Sequence, residues 1–461
     1  MSKHTRVYKT ISVRENKSSQ QQVLKRQNID MIRIASRVIT SLFLLFSGPI
    51  SASDDIFHKA TNAAVFIYSN IKYGFWEDDE PESNQFGSGF LLDREKGFVM
   101  TNTHVAGRGP SDVSLRFYGQ RELIPAERFY IEPHHDIAIL RVDPKLIPDN
   151  AQTLTLDCDY QPKRGEEVLA IGHPENTEFQ ITRGVISGEY DDNVDGIFWS
   201  TDLVIESGSS GGAALSIDTG KVIGVPTAGW DDSDISLITK AHNACLVWNL
   251  IDAGKDPKRP HLGFQQLMED GYLSKKVGLV TDPNSPLQVG DEIISWDNGK
   301  EWDIKKYIRF ADLLRGFEKD TVKLKVERNN QLIDLTIPLK EGVAHHEREW
   351  VFFTGLTFAN DIQEDSDIHP YFNERVRLQT RRLGYRSGVN WHIRNLALLL
   401  SVNGEKLTSI KQLALHAKKA SEDNKPLELV FNAPDFTTES WRYLFKRTVP
   451  VLEFDTNIKL D

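Results

Sequence analysis

Short apolar runs separated by turn-forming residues recur from about residue 56 to residue 250, and this spacing constrains the fold most strongly. The runs 90–92 and 98–100 flank the turn-rich stretch Asp93–Gly97, which predicts a β-hairpin. Residues 167–171 and 221–225 are two further apolar runs of strand length. Many short strands at regular intervals are typical of an all-β barrel or sandwich. The sequence therefore predicts a mainly β fold for this part of the chain.

A serine lies inside the glycine-rich run Gly208–Gly212. Flanking glycines let the backbone turn sharply and direct its N–H groups into a cleft, where they can hold an oxyanion. Small residues also make ordinary tight turns, so this run alone leaves both interpretations open. Two upstream segments favour catalysis, since Thr101–Val105 contains a histidine and His135–Leu140 contains an aspartate. The order histidine, aspartate, serine is that of the double-barrel serine proteases.

The set of motifs resembles the HtrA/DegP family of serine proteases. His104 and Asp136 are 32 residues apart, and Asp136 and Ser210 are 74 residues apart. Three further segments match the family's pattern, namely Phe86–Phe90, Ile171–Pro174 and Thr182–Gly188. The resemblance covers roughly residues 56 to 250.

This resemblance implies three folded parts. The first is a trypsin-like double β-barrel protease domain over residues 54–255, and two small α+β PDZ-like domains follow over 256–342 and 348–461. In the first PDZ-like domain, Leu262, Gly263 and Phe264 match the loop whose backbone N–H groups cap a peptide's C-terminal carboxylate.

The second PDZ-like domain is a diverged copy of the same pattern. Residues 355–358 take the place of the capping loop, residues 398–402 match a strand before a turn, and residues 427–431 are a second predicted strand.

The resemblance also assigns chemical roles. Ser210 is the nucleophile, and His104 is the general base, because a histidine with an unperturbed pKa of about 6.5 exchanges protons at neutral pH. Asp136 holds the imidazole in the correct tautomer. The backbone N–H groups of Gly208, Ser209 and Ser210 are the predicted oxyanion donors. No cofactor and no metal site are predicted.

The chain departs from the family's pattern next to the nucleophile. Ser209 stands where the family usually has Asn, and Ala213 where it usually has Pro. Ser209 still offers a backbone N–H, so the oxyanion site can survive. His134 and His135 adjoin the predicted catalytic aspartate but lack the Thr-Asn-Thr-His-Val setting, so we expect them to be exposed polar residues.

The residues before the serine favour an apolar specificity pocket. Proteases that cut after Lys or Arg place an Asp six residues before the serine, and here that position is Val204. The predicted pocket residues are Val204, Ile205, Val225 and Thr227. Such a pocket fits small or medium aliphatic side chains.

Charge and composition indicate an exported acidic protein. The 461 residues carry a formal charge of −11, which makes nucleic acid an improbable partner. Residues 1–37 are basic and lead into the apolar run 38–46 and small residues near 51, which is typical of a signal peptide. A signal anchor, an organelle transit peptide and a start at Met31 stay open. Cys158 and Cys245 are the two cysteines, and they either pair or remain separate thiols.

The predicted function is an ATP-independent serine endopeptidase of misfolded or unfolded polypeptides. The resemblance implies C-terminal peptides as ligands of the PDZ-like domains, a trimer-based homo-oligomer and a periplasmic location. One alternative is a catalytically silent chaperone or peptide-binding protein on a protease fold. Another is a regulatory protease with a single signalling substrate.

Overall fold

The computed structural model describes residues 52–75, 83–174, 177–192, 196–229, 235–360, 376–381, 397–434 and 442–460. Most of the predicted N-terminal basic and apolar segment lies outside these residues. Four α-helices are described: α1 (Ala52–Ala63), α2 (Thr103–Ala106), α3 (Ala241–Asp252) and α4 (Ile410–Glu422). Within the described part of the chain, no helix has the length and apolar character needed to cross a bilayer.

The first six strands form a closed barrel in the order β1-β2-β3-β6-β5-β4. Their bounds are β1 (Ala64–Ile71), β2 (Ser83–Asp93), β3 (Phe98–Thr101), β4 (Ser111–Phe117), β5 (Ile124–Glu132) and β6 (Ile137–Arg141). Its core is made of aliphatic residues such as Val65, Leu91 and Leu140. The predicted hairpin is confirmed, because β2 and β3 pair antiparallel around the turn.

The next six strands form a second closed barrel in the order β10-β11-β12-β9-β8-β7. Their bounds are β7 (Glu167–Gly172), β8 (Gln180–Asp192), β9 (Gly196–Thr201), β10 (Ala213–Ser216), β11 (Val222–Gly229) and β12 (Ser236–Lys240). A disulfide between Cys158 and Cys245 ties the segment before β7 to α3. The two barrels confirm the predicted trypsin-like double-barrel fold.

A third sheet follows, in the order β13-β14-β15-β17-β18, with β16 paired to β15. Its strands are β13 (Phe264–Glu269), β14 (Tyr272–Val280), β15 (Glu292–Trp296), β16 (Lys300–Glu301), β17 (Thr321–Arg328) and β18 (Gln331–Pro338). A 3-10 turn at Phe310–Leu314 covers its apolar face, and Phe310 and Leu314 are fully buried there.

The last sheet has the order β25-β24-β22-β21-β20-β19-β26, with β23 paired to β22. Its strands are β19 (Trp350–Phe353), β20 (Leu356–Asn360), β21 (Val376–Arg381), β22 (Leu398–Val402), β23 (Glu405–Lys406), β24 (Leu427–Pro434), β25 (Arg442–Val449) and β26 (Asp455–Thr456). Helix α4 packs on it through a face spaced three and four residues apart, which includes Leu413 and Ala417.

The capping loop predicted in this second PDZ-like part is wrong. Residues 354 and 355 are the two-residue turn of the β19–β20 hairpin, and both have positive φ, 50° at Thr354 and 75° at Gly355. That conformation is the one a tight hairpin requires. Leu356 and Phe358 are fully buried and face the core rather than a ligand.

This last sheet packs on the first barrel through aromatic side chains. The ring of Tyr73 lies 4.3 Å from that of Phe352 and 4.9 Å from that of Trp350. The Tyr73 hydroxyl also donates a hydrogen bond to Asp455 over 2.7 Å.

Candidate active site

His104 lies on the single turn of α2, which follows directly from strand β3 of the first barrel. The neighbouring side chains fix this turn against the loop that carries Asp136. The Thr103 hydroxyl is 2.8 Å from the carbonyl oxygen of Ile137, and the Asn102 amide donates to the Asp136 carbonyl over 2.7 Å. The polar residues of the Thr-Asn-Thr-His-Val motif therefore join the two loops that bear histidine and aspartate.

Asp136 holds the imidazole of His104 in a defined orientation. Its Oδ2 is 2.7 Å from His104 Nδ1, and its Oδ1 accepts the His104 backbone N–H over 3.0 Å. Asp136 has a φ of 50°, a left-handed conformation that short polar residues tolerate. Because Nδ1 faces a carboxylate, it carries the proton, and Nε2 is left with a free lone pair.

A third residue, Thr227 of β11, completes the environment of this carboxylate. Its hydroxyl donates to Asp136 Oδ2 over 2.5 Å. Burial by itself would raise the pKa of the Asp136 carboxyl. The charges of His104 and Arg108 and the hydrogen bonds from His104 and Thr227 outweigh burial and lower this pKa below its ordinary value. Asp136 is therefore ionised at neutral pH and can stabilise a protonated His104.

The loop that carries Ser210 is tied to the first barrel by Ser88 of β2. The Ser88 backbone N–H donates to the Ser210 carbonyl over 2.9 Å, and the Ser88 hydroxyl donates to the Gly208 carbonyl over 2.7 Å. A Cβ on Gly211 would lie 2.2 Å from Thr101 Oγ1 and 2.3 Å from Ser88 O. Only glycine fits there, which explains the first glycine after the serine.

The Ser210 hydroxyl faces the backbone of Thr227 in this structure. It donates to the Thr227 carbonyl over 3.4 Å, and among the described residues no hydrogen bond joins it to His104. A rotation about χ1 between staggered positions redirects the hydroxyl, and such bonds often tighten only when substrate binds.

Two of the three predicted oxyanion donors remain suited to that role. Among the backbone hydrogen bonds of the described chain, neither the Gly208 nor the Ser210 N–H is a donor. The Ser209 N–H, in contrast, donates to the Glu206 carbonyl over 2.9 Å. Since that N–H already has an acceptor, the prediction that Ser209 is an oxyanion donor is corrected, and the candidate donors are Gly208 and Ser210.

The predicted specificity pocket is not assembled as expected. Val204 is 59% exposed, whereas Val225 is fully buried in β11. Ile205 packs against the core of the second barrel. Thr227 contacts Asp136 and Ser210, so it belongs with the catalytic groups. Because Val225 has no exposed surface while Val204 is largely exposed, the structure does not bring the four residues together as one pocket.

A cleft of about 580 Å³ opens beside the three candidate catalytic residues. His104, Gly208 and Ser210 line it together with Phe66 and Phe86. A base, a nucleophile and candidate oxyanion donors thus face one space that can receive an extended polypeptide.

Comparisons with known proteins agree with this arrangement. The model of the trypsin-like peptidase domain matches residues 87–225, a range that contains His104, Asp136 and Ser210. A Pseudomonas putida protein described as a probable periplasmic serine endoprotease DegP-like is 30% identical over 285 residues, which cover 56% of this chain and 57% of that protein. A Chlamydia pneumoniae protein with the same description is 28% identical over 386 residues, covering 75% and 74% of the two chains. Over these ranges the chain is similar to DegP-like serine endoproteases.

The extent of these matches is limited. The chain spans a little over half the length of the Pseudomonas relative, 57%. Among solved structures, a variant of the HtrA-type protease AlgW with a decapeptide matches with a TM-score of 0.51 at 21% identity. It covers 63% of this chain and 98% of that one, which shows a shared HtrA-type fold.

A buried charge cluster behind Asp136 is a feature of this chain that the sequence did not reveal. It joins β5 and the turn after it to the first PDZ-like part, and its members are Glu132, His135, Arg259, Asp312 and Arg315. Asp312 carboxylate oxygens lie 2.9 Å from Arg315 Nε and 3.1 Å from His135 Nε2. We predicted His134 and His135 to be exposed, and this prediction is wrong, since they are 3% and 4% exposed.

The arginines keep both carboxylates of this cluster ionised. Burial would raise the pKa of Asp312, but the charges of Arg259, His135 and Arg315 hold it well below its ordinary value. The pKa of Glu132 is lowered in the same way, because Arg259 and Arg315 outweigh its burial. The turn that presents Asp136 is thus held by charged residues that lie far along the chain, next to the strands of the third sheet.

The predicted peptide-capping loop precedes β13, the edge strand of the first PDZ-like sheet. Gly263 has a φ of 69°, and its carbonyl accepts the N–H groups of Thr281 and Asp282. Leu262 and Phe264 are buried in the core of this sheet. The nearby Gln266 side chain donates to the Ile308 carbonyl over 3.0 Å and accepts from Phe310 N–H over 2.9 Å.

This Gln266 bridge holds residues 308–310 close to β13. A peptide that adds to the edge of β13 has to pass this bridge or break it.

Sequence reasoning identified the histidine, aspartate and serine but misplaced two of their partners. Thr227 was assigned to a substrate pocket, although its hydroxyl binds Asp136. Ser88 was seen only as part of a matching motif, although it bonds to both Gly208 and Ser210. The Phe-Gly-Ser-Gly-Phe motif was the available indication for Ser88.

Proposed function

We propose that this protein is a serine endopeptidase that hydrolyses peptide bonds of misfolded or unfolded polypeptides through an acyl-enzyme. One observation carries the proposal. His104 Nδ1 lies 2.7 Å from the Asp136 carboxylate, and His104 and Ser210 line the same cleft. This geometry gives a weak nucleophile the base that it requires.

In the acylation step, the Ser210 hydroxyl turns from Thr227 towards His104 Nε2 and attacks the peptide carbonyl carbon. Its proton passes to Nε2, and the ionised Asp136 stabilises the imidazolium. The carbonyl oxygen becomes an oxyanion held by the N–H groups of Gly208 and Ser210. Each such donor is worth roughly 3–4 kcal/mol in the transition state.

The intermediate then collapses, the C–N bond breaks, and His104 gives its proton to the leaving amine. A water molecule next loses a proton to His104 and attacks the acyl carbon of the Ser210 ester. Collapse of this second intermediate returns the proton to Ser210 and releases a carboxylic acid. Each turnover thus consumes one water and leaves the protein unchanged.

The location and partners are part of the same proposal. Relatives are described as periplasmic, and the basic and apolar N-terminal sequence supports export of this chain. We expect substrate polypeptides to be its main partners and a trimer-based homo-oligomer to be its assembly. Capture of C-terminal peptides at Leu262–Phe264 requires opening of the Gln266 bridge, so their binding should improve in Gln266→Ala.

A second candidate is a chaperone whose protease site is silent. The observation that favours it is the Ser210 hydroxyl, which is bonded to the Thr227 carbonyl rather than to His104. Such a protein would suppress aggregation of an unfolded client without cutting it.

Degradation of casein by the purified full-length protein tests both candidates. An endopeptidase degrades casein, Ser210→Ala abolishes the degradation, and Ser187→Ala, at an exposed serine of β8, retains it. Degradation that persists in Ser210→Ala would contradict the proposal. Suppressed aggregation without any cleavage would favour the silent chaperone.

A further inference from the structure

Phe86 is unusually exposed for an aromatic residue in a barrel strand. It lies on β2, whose residues 87–92 are all buried, yet its own side chain is 57% exposed. An exposed aromatic ring next to a cleft is a ready contact for an apolar group, because burying it removes apolar surface from water.

Other rings extend Phe86 into a continuous aromatic wall. Its ring centroid lies 5.9 Å from that of Phe66 in a stacked arrangement and 5.4 Å from that of Tyr68. Phe66 meets His173 edge-on at 5.4 Å, and His173 meets Phe179 edge-on at 4.0 Å. A side chain that enters the cleft meets the rings of Phe66, Phe86 and His173, which line it.

The charges around this wall compensate one another. The Arg116 guanidinium lies 5.2 Å from the Phe66 ring centroid and pairs with Glu178. Burial, together with the Arg116 charge, lowers the pKa of His173 to about 3, so its ring is neutral at physiological pH. The wall therefore presents apolar and aromatic surface rather than a site for an ion.

The position of the cleft determines which part of a substrate reaches it. His104 and Ser210 line the cleft, and its described lining residues include none of the four residues predicted for the specificity pocket. His104 must protonate the leaving amine, so the chain beyond the scissile bond departs past His104. Because Phe66 and Phe86 share the cleft with His104, we place that segment against their rings.

We propose that the cleft lined by Phe66 and Phe86 binds a large apolar, preferably aromatic, side chain at the first or second position after the scissile bond. This inference rests on the proposed endopeptidase function and adds a substrate class to it. Unfolded polypeptides expose such side chains, whereas folded surfaces mostly bury them.

The test uses two internally quenched peptides that share one valine-containing acyl side. They differ only in carrying Phe or Ser at both positions after the intended bond, and mass spectrometry of the products locates the cleavage. We expect kcat/KM to be about tenfold higher for the Phe peptide. Phe86→Ala should bring this ratio to within about twofold of unity, and Leu146→Ala, at an exposed apolar residue outside the cleft, should leave the ratio unchanged.

A binding measurement separates this inference from the proposed function. In Ser210→Ala, fluorescence anisotropy should show the Phe peptide binding about tenfold more tightly than the Ser peptide, and adding Phe86→Ala should remove the difference. Equal binding of both peptides, or a preference that survives Phe86→Ala, would overturn the inference. If the unmodified protein binds the Phe peptide selectively but cleaves neither peptide, the proposed endopeptidase function is contradicted, whereas the proposed binding of aromatic side chains in the cleft is supported.

Discussion

The two halves of the candidate site differ in how completely they are assembled. The first barrel supplies His104 and Asp136, which are joined by two hydrogen bonds and held by their neighbours. The second barrel supplies Ser210, whose hydroxyl is bonded to a backbone carbonyl instead of to the base. In the proposed mechanism the base is therefore oriented before substrate arrives, whereas the Ser210 hydroxyl still has to turn from the Thr227 carbonyl towards it.

The residues that surround each half explain this difference. A buried cluster of charges that includes Glu132 and Asp312 lies behind the His104–Asp136 half. Moving one of these groups would leave a buried charge unpaired, which costs several kcal/mol, so the cluster is rigid. The Ser210 half is a glycine-rich loop, with φ of 93° at Gly208 and 84° at Gly211. Thr227 touches both halves, since its hydroxyl binds Asp136 and its carbonyl accepts the Ser210 hydroxyl.

The largest change expected in this comparison comes from Asp136→Asn. An amide cannot hold His104 in the correct tautomer or stabilise the imidazolium, so kcat should fall by about 10⁴-fold. Steady-state hydrolysis of a quenched peptide measures this loss. Asp112→Asn, at an exposed aspartate of β4, should retain the original kcat. A loss of less than tenfold in Asp136→Asn would show that the His104–Asp136 half is not the base.

Glu132→Gln tests the support behind this half. It removes one of the two carboxylates that pair with Arg259 and Arg315 and leaves Asp312 to balance both buried guanidinium groups, so the free energy of unfolding should fall by about 3–5 kcal/mol. Thermal unfolding followed by near-UV circular dichroism should show a midpoint lower by about 10 °C.

The control for this variant is Glu127→Gln, which removes an exposed ion pair with Arg141 and should change stability by less than about 1 kcal/mol. Equal midpoints for the two variants would mean that the buried charges do not hold the domains together.

Thr227→Val tests the contact that joins the two halves. The valine keeps the shape of threonine but cannot donate to Asp136, and a hydrogen bond to a charged group is worth about 1.5–3 kcal/mol. We expect kcat to fall at least tenfold with little change in KM, and Thr227→Ser to restore most of it. A rise in KM at constant kcat would instead assign Thr227 to substrate binding.

The smallest effect concerns acid sensitivity. Burial, followed by the charges of nearby arginines, holds the pKa of His134 well below its usual range. Below about pH 6.5, His134 is protonated in the unfolded chain but stays neutral in the folded protein. The free energy of unfolding therefore has its full value, as far as His134 is concerned, above that pH. It decreases by up to about 1.4 kcal/mol per pH unit as the pH falls below it.

Urea unfolding at pH 7.5 and pH 5.5 measures this dependence. His134→Leu should lose less stability between the two pH values than the unmodified protein. Identical losses would show that His134 does not contribute to acid sensitivity.

The fold could be predicted, and the three residues proposed for catalysis could be selected, because both depend on local patterns. Strand-length apolar runs predicted a mainly β fold, and the family resemblance carried by the motifs around His104, Asp136 and Ser210 implied the two barrels. The burial of His135 could not be predicted, because Asp312 of another domain covers it and lies 177 positions away in the chain. The assignment of Val225 to the pocket failed because the direction of a strand side chain depends on register, which the sequence did not define.

Covalent labelling tests the central claim, that His104 and Asp136 activate Ser210, most directly. The full-length protein is incubated with a fluorophosphonate, digested and analysed by tandem mass spectrometry, beside Asp136→Asn and Ser210→Ala. We expect stoichiometric modification of Ser210, strongly slowed modification in Asp136→Asn and none at residue 210 in Ser210→Ala. An unmodified Ser210 in the folded full-length protein, or equal labelling rates with and without the Asp136 carboxylate, would contradict the claim.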